Sequence, residues 1–223
     1  MQQHQRGQAE EAEEADHVGH RRQDHAAGQR GVVAHALVRQ RDEDEDLFSP
    51  VRRAVRGRML WLGINLVTAF LASAVVGQFE GTLDQIVALA VLMPIVAGMG
   101  GNAGTQVLAL MVRGLALGQV GASNARVLLW KEIRVALLNG LMLGAVVALV
   151  ALVWFHSWPL SLVIAAALTI NLAAAALAGV LVPLTLRRMG FDPALAGGVI
   201  LTTVTDVIGF LSFLGLATLV LVR

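Results

Sequence analysis

The chain has 223 residues, 56% of them hydrophobic, with no cysteine and a formal net charge of +1. So apolar a composition excludes an ordinary soluble domain of this size and points to a chain that crosses a membrane several times. The missing cysteines exclude disulfides and thiolate metal centres.

The near-zero charge hides a segregation. Residues 1–46 hold eleven of the sixteen acids, six of the seventeen bases and five of the six histidines. This stretch has no aromatic residue, and its one apolar patch, 32–38, is interrupted by His35. It lacks the apolar core of a signal peptide and is expected to be a disordered, solvated tail. The irregular histidine spacing gives no metal-ligand pattern.

From residue 47 onward the expected fold is an all-α membrane domain, 47–223. Five apolar runs approach the ~20 residues needed to span a bilayer, at 59–79, 85–112, 127–155, 160–186 and 195–222. Arginine and lysine collect before the first run (Arg52, Arg53, Arg56, Arg58), between the second and third (Arg113, Arg126, Lys131, Arg134) and after the fourth (Arg187, Arg188). The alternate connections carry none. By the positive-inside rule the amino terminus is expected in the cytoplasm and the carboxyl terminus outside, which only an odd number of spans allows. Trp61, Trp130, Trp154 and Trp158 fall near span ends, as interfacial anchors do. The alanine-rich fourth span reads as a packed interior helix.

The second span carries an unusual run, Pro94-Ile-Val-Ala-Gly-Met-Gly-Gly-Asn-Ala-Gly-Thr-Gln106. Amides at membrane depth cost several kcal/mol each in contact with lipid. Such a run must pack against protein or line a watery path. Gly100 with Gly104, and Ala97 with Gly101, are small-xxx-small pairs that allow close helix approach. Asn102 and Gln106 present amides one turn apart. Asn65, Asn139 and Asn171 place one amide in other spans and are expected to make interhelical hydrogen bonds. Glu132, beside Lys131 and Arg134, is expected to form a surface ion pair. In the fifth span Asp206 is the sole deep acid, and a carboxylate there costs roughly 2.5–3.5 kcal/mol. Gly198, Thr202, Thr205, Asp206 and Gly209 fall on one side of that helix, opposite Ile200, Val204 and Leu211.

The run 94–106, followed by Val112-Arg-Gly-Leu-Ala-Leu-Gly118, resembles the signature of MgtE-type magnesium channels. So does Asp192-Pro-Ala-Leu195 leading into Thr202-Thr-Val-Thr-Asp-Val-Ile-Gly-Phe210. The resemblance implies a homodimer with its pore on the two-fold axis, lined by spans two and five. It implies that Asp206, assisted by Thr202 one turn before it, holds hydrated Mg²⁺. Gly100, Gly101, Asn102, Gly104, Gln106, Gly198, Thr205 and Gly209 become the expected pore lining. Some relatives carry Asn-Pro where this chain has Gly198 and Val199. The family's amino-terminal helical domain and CBS pair resemble nothing in residues 1–46, so those domains are expected to be absent.

The expectation is therefore a multi-pass plasma-membrane homodimer passing Mg²⁺, with other divalent cations as further candidates, inward down its gradient. Its partners are lipid, cation and a second copy, with no nucleic acid. Within the spans no Ser/His/Asp or metal-hydrolase spacing supports an enzyme. A proton-coupled transporter using Asp206 as relay, and a non-transporting scaffold, are the alternatives.

Overall fold

The apolar runs fold as helices whose ends are set by local chemistry. A computed structural model describes residues 51–121 and 124–222, so the tail expected over 1–46 lies outside them. The helices are α1 Val51–Gly77, α2 Glu80–Gln85, α3 Val87–Ala116, α4 Ala125–Phe155, α5 Trp158–Arg188 and α6 Pro193–Leu221. Among the described residues there is no strand. The chain divides into two units, 1–59 and 60–223. Of the first, the described residues 51–59 are helical. The second holds the helical bundle.

Among the described residues, four helical stretches are long and apolar enough to cross a membrane: Ala88–Ala116, Ala125–Phe155, Trp158–Arg188 and Ala196–Leu221. They match the expected spans two to five to within a few residues. The expected first span is represented by a shorter apolar stretch, Trp61–Gly77.

Caps explain the boundaries. The side chain of Asp192 accepts from the Ala194 N–H at 2.9 Å, and Pro193 follows at the first helical position. An acceptor at the cap and a proline that needs no partner for its missing N–H together start α6. The Asp-Pro pair of the sequence motif is thus a helix start. Between α4 and α5 the turn is only His156 and Ser157: His156 adopts a left-handed conformation (φ 54°) that ends α4, and Ser157 caps α5. At the far end of α3, Arg187 of α5 donates to the Leu115 carbonyl at 3.2 Å. That serves one of the acceptors a helix C-terminus leaves open and sets a cation there.

α5 is the centre of the bundle. Over half of its most apolar window (56%) is buried, against 22–28% for the other three long helices. Its small residues let neighbours approach closely. A Cβ at Gly140 or Gly144 of α4 would meet the Thr169 and Ala165 backbone of α5 at 2.9–3.0 Å, and one at Gly179 would meet Val107 of α3 at 2.8 Å.

Two apolar clusters result. The larger joins Leu89, Leu92 and Val96 to Ile164, Phe213 and Leu214; the smaller joins Leu108, Ala178 and Leu201. α1 touches the larger cluster through Val76 and buries Ala72, while Leu62, Leu66, Val67 and Phe70 remain exposed. The short α2 is tied in by a 2.9 Å hydrogen bond between the hydroxyls of Thr82 and Thr218.

Candidate functional site

Between the two clusters the bundle has a polar waist. Asn171, fully buried on α5, donates its side-chain amide to the Val96 carbonyl of α3 at 2.8 Å. The same side chain fills the space that glycines leave on two neighbours. A Cβ at Gly209 of α6 would lie 2.6 Å from its Nδ2, and one at Gly100 of α3 would collide with the same amide. Thr205, also fully buried, donates its hydroxyl to the Thr202 carbonyl at 3.0 Å. Of the three amides expected to bond between helices, Asn171 does so. Asn65 and Asn139 are exposed.

The structure sorts the expected lining residues into three groups. Gly100, Gly104, Thr205 and Gly209 are buried within the subunit: Gly100 and Gly209 lie against Asn171, and Gly104 lies against Leu201, which a Cβ would meet at 2.9 Å. Gly101, Asn102, Gly198, Thr202 and Asp206 are half-buried or exposed. A Cβ at Gly101 or Gly198 would meet nothing within 4 Å. Thr105 and Gly98, which the lining expectation did not include, lie on this open side too; both are exposed, and the Thr105 hydroxyl bonds back to the Gly101 carbonyl at 2.8 Å. Small residues beside them in the sequence were the available signal.

Gln106 stands apart. It lines a crevice of about 250 Å³ between α3, α4 and α5, together with Glu132 and Asn139. Glu132 pairs with Lys131 as expected, at 3.3 Å, but it is buried (7% exposed) rather than at the surface. Neighbouring helices α3 and α5 cover it, which the spacing of charges on α4 alone does not reveal.

Depth follows from the pairings between α3 and α6. Gly104 faces Leu201, Leu108 faces Gly197, and Gly100 and Gly209 share Asn171. These contacts run antiparallel and put Gly101 and Asn102 at the level of Asp206. The two open polar stripes therefore sit on adjacent helices at one height, midway along α6. Near Asp206, Thr202 directs its hydroxyl proton to the Gly198 and Val199 carbonyls, both at 3.1 Å. Its oxygen lone pairs remain available as acceptors.

Among the described residues, no three His, Cys, Asp or Glu side chains gather as a chelating group. What the stripes offer is one carboxylate with amide, hydroxyl and carbonyl oxygens around it. Such a set suits a cation that keeps its water, held by outer-sphere hydrogen bonds, better than one stripped and wrapped by protein.

The chain is 31% identical to the magnesium transporter MgtE of Bacillus subtilis over 196 residues, which are 83% of this chain and 44% of that protein. It is 33% identical to the magnesium transporter MgtE of Enterococcus faecalis over 178 residues, 80% and 39% of the two chains. With that of Thermus thermophilus the identity is 37% over 165 residues, 74% and 36%. The chain spans about two fifths of the length of these relatives. The profile of the MgtE family, described as a divalent cation transporter, matches residues 93–216. That match runs through the polar waist and both open stripes and covers more than half of the chain, which therefore belongs to the MgtE family of divalent cation transporters.

Proposed function

We propose that the chain forms the membrane pore of a magnesium transporter. Two copies meet on a two-fold axis, and the ion passes between their α3 and α6 helices. One observation carries this reading: Asp206 and the open side of α3 lie at one depth, mid-span, and among the described residues neither stripe is fully covered. In a bilayer an acid and amides so placed require protein, water or a cation opposite them. A second copy supplies the missing wall and a second Asp206. Two like charges on one axis repel unless a cation sits between them, so the ion is part of the site.

Asp206, with Thr202 assisting, holds hydrated Mg²⁺. Gly98, Gly101, Asn102, Thr105 and Gly198 line the approach. Gly100, Gly104, Thr205 and Gly209 stand behind them and set the distance between α3 and α6. The basic ends of α3, α4 and α5 mark the cytoplasmic side, and flow is inward, down the ion's electrochemical gradient. α1 is the first of five spans, its shorter apolar stretch extended toward the arginine-bearing residues 52–58. The protein acts as a transporter in the plasma membrane and catalyses no covalent chemistry.

The test is Mg²⁺ flux into liposomes containing the purified chain, measured with no proton or sodium gradient. Flux under those conditions supports a channel. Flux only with a proton gradient supports a coupled carrier, and no flux in any condition supports a scaffold.

A further inference from the structure

A second cavity, of about 460 Å³, opens at the basic end of the bundle between the last turns of α3 and the first turns of α4. Its walls mix two kinds of group. Arg113 and Lys131 bring positive charge, while Leu110, Leu117, Val127 and Leu128 bring apolar surface. Nothing in the transport reading uses it. We propose that this cavity seats the headgroup of an anionic phospholipid, with the phosphate between Arg113 and Lys131 and the start of the acyl chains on the leucines and Val127.

Five observations lead there. No acid lines the cavity. Among the described residues Arg113 makes no ion pair. Lys131 is 63% exposed and gives one contact to Glu132, but an ammonium has three N–H groups, so donors remain. Counting Arg113, Lys131 and Glu132 together, the local charge is +1, which matches a phosphodiester with one negative charge. Leu110, Leu117 and Val127 are 47%, 60% and 72% exposed. A soluble anion would leave that apolar surface in water, whereas a lipid covers it. Finally, Trp130, 54% exposed and adjacent to Lys131, marks the depth at which indole rings meet headgroups. Basic pockets between spans at this depth are the ordinary seats of anionic headgroups. The proposal requires only that the bundle lies in a bilayer and is independent of ion flux.

The experiment is lipid titration of the full chain, purified and stripped of co-purifying lipid, with bound lipid counted by native mass spectrometry. Phosphatidylglycerol is expected to bind at least tenfold more tightly than phosphatidylcholine of the same chains. The double variant Arg113→Gln, Lys131→Gln is expected to reduce that preference to less than threefold. Arg188→Gln, which lies outside the cavity, is expected to keep it. Equal binding of the two lipids by the unaltered protein would overturn the proposal, and so would a preference that survives the double change or disappears with Arg188→Gln alone. Inorganic phosphate at millimolar concentration is the competing probe. Phosphate binding by a chain that holds phosphatidylglycerol no more tightly than phosphatidylcholine would identify a soluble-anion site and overturn the lipid assignment. Should the double variant fail to fold, the lipid preference and the phosphate competition of the unaltered chain decide the matter.

Discussion

The side-chain amide of Asn171 on α5 reaches the Val96 carbonyl on α3, 75 residues earlier in the chain, at 2.8 Å. The same side chain fills the space beside Gly100 and Gly209, so one residue spaces three helices. Interhelical hydrogen bonds in membranes are worth about 0.6–2 kcal/mol. Asn171→Ala should lower stability by about that amount, plus a small term for the space left empty. Asn171→Leu should cost more, because a branched side chain must press on two glycines. Thermal unfolding in detergent, followed by circular dichroism, checks the order.

Glycines one residue apart should behave differently. Gly100 has no room for a methyl group, whereas Gly101 faces open space within its own subunit. Gly100→Ala should therefore lower the yield and stability of the folded chain. Gly101→Ala should leave them within about 0.5 kcal/mol once the helix preference for alanine is counted, and any change should appear in flux or in association of two copies. Equal loss of stability from both would show that Gly101 is enclosed.

Asp206→Asn keeps size and hydrogen bonding but removes one charge per copy. Charges ~4–5 Å from a dication at an effective dielectric of ~20 contribute several kcal/mol each. Losing both should cut Mg²⁺ occupancy at least tenfold, which requires only ~1.4 kcal/mol. Liposome flux should rank wild type, then Asp206→Glu, then Asp206→Asn, with dimer yield unchanged. An asparagine variant as active as wild type would make Asp206 a packing residue.

The chain has no cysteine, so a single introduced thiol reports on association without background. Gly98 is exposed and a Cβ there meets nothing within 4 Å. Gly98→Cys should form an intermolecular disulfide under mild oxidation if the open side of α3 lies near the two-fold axis. Disulfides need Cα atoms within about 7 Å. Thr169→Cys faces α4 inside the subunit and should not crosslink.

The Asp192 cap can be isolated from the pore. Asp192→Ala removes the acceptor for the Ala194 N–H and should cost about 1 kcal/mol, while Asp192→Asn keeps an acceptor and should cost less than half of that. Urea or thermal midpoints of the purified chain provide the comparison.

The bounds of the four long apolar helices were legible in the sequence because hydrophobic length acts locally, while the expected first span appears as the shorter apolar stretch Trp61–Gly77. Asp206 stood out as a candidate for a related reason: a lone acid among apolar residues is conspicuous without any knowledge of its neighbours. The division of the polar stripes was not. On a helical wheel Thr205 and Asp206 look equivalent, yet Thr205 is fully buried and Asp206 half-exposed. Which side faces the subunit's own helices depends on Asn171, a residue 34 positions before Thr205 that lies outside both motifs in the sequence. The burial of Glu132 was hidden in the same way, since α3 and α5 cover it.

The two-residue turn at His156 and Ser157 bears on how the protein is made. Two 31-residue helices joined so tightly leave no slack for one to settle while the other is still being synthesised. α4 also presents Gly140 and Gly144 to α5, so its close contacts stay unmade until α5 emerges from the ribosome. Insertion of this pair is therefore expected to be concerted, with the hairpin entering the bilayer as one body. A flexible linker spliced between His156 and Ser157 would uncouple the two arrivals and expose half-made glycine seams to other chains.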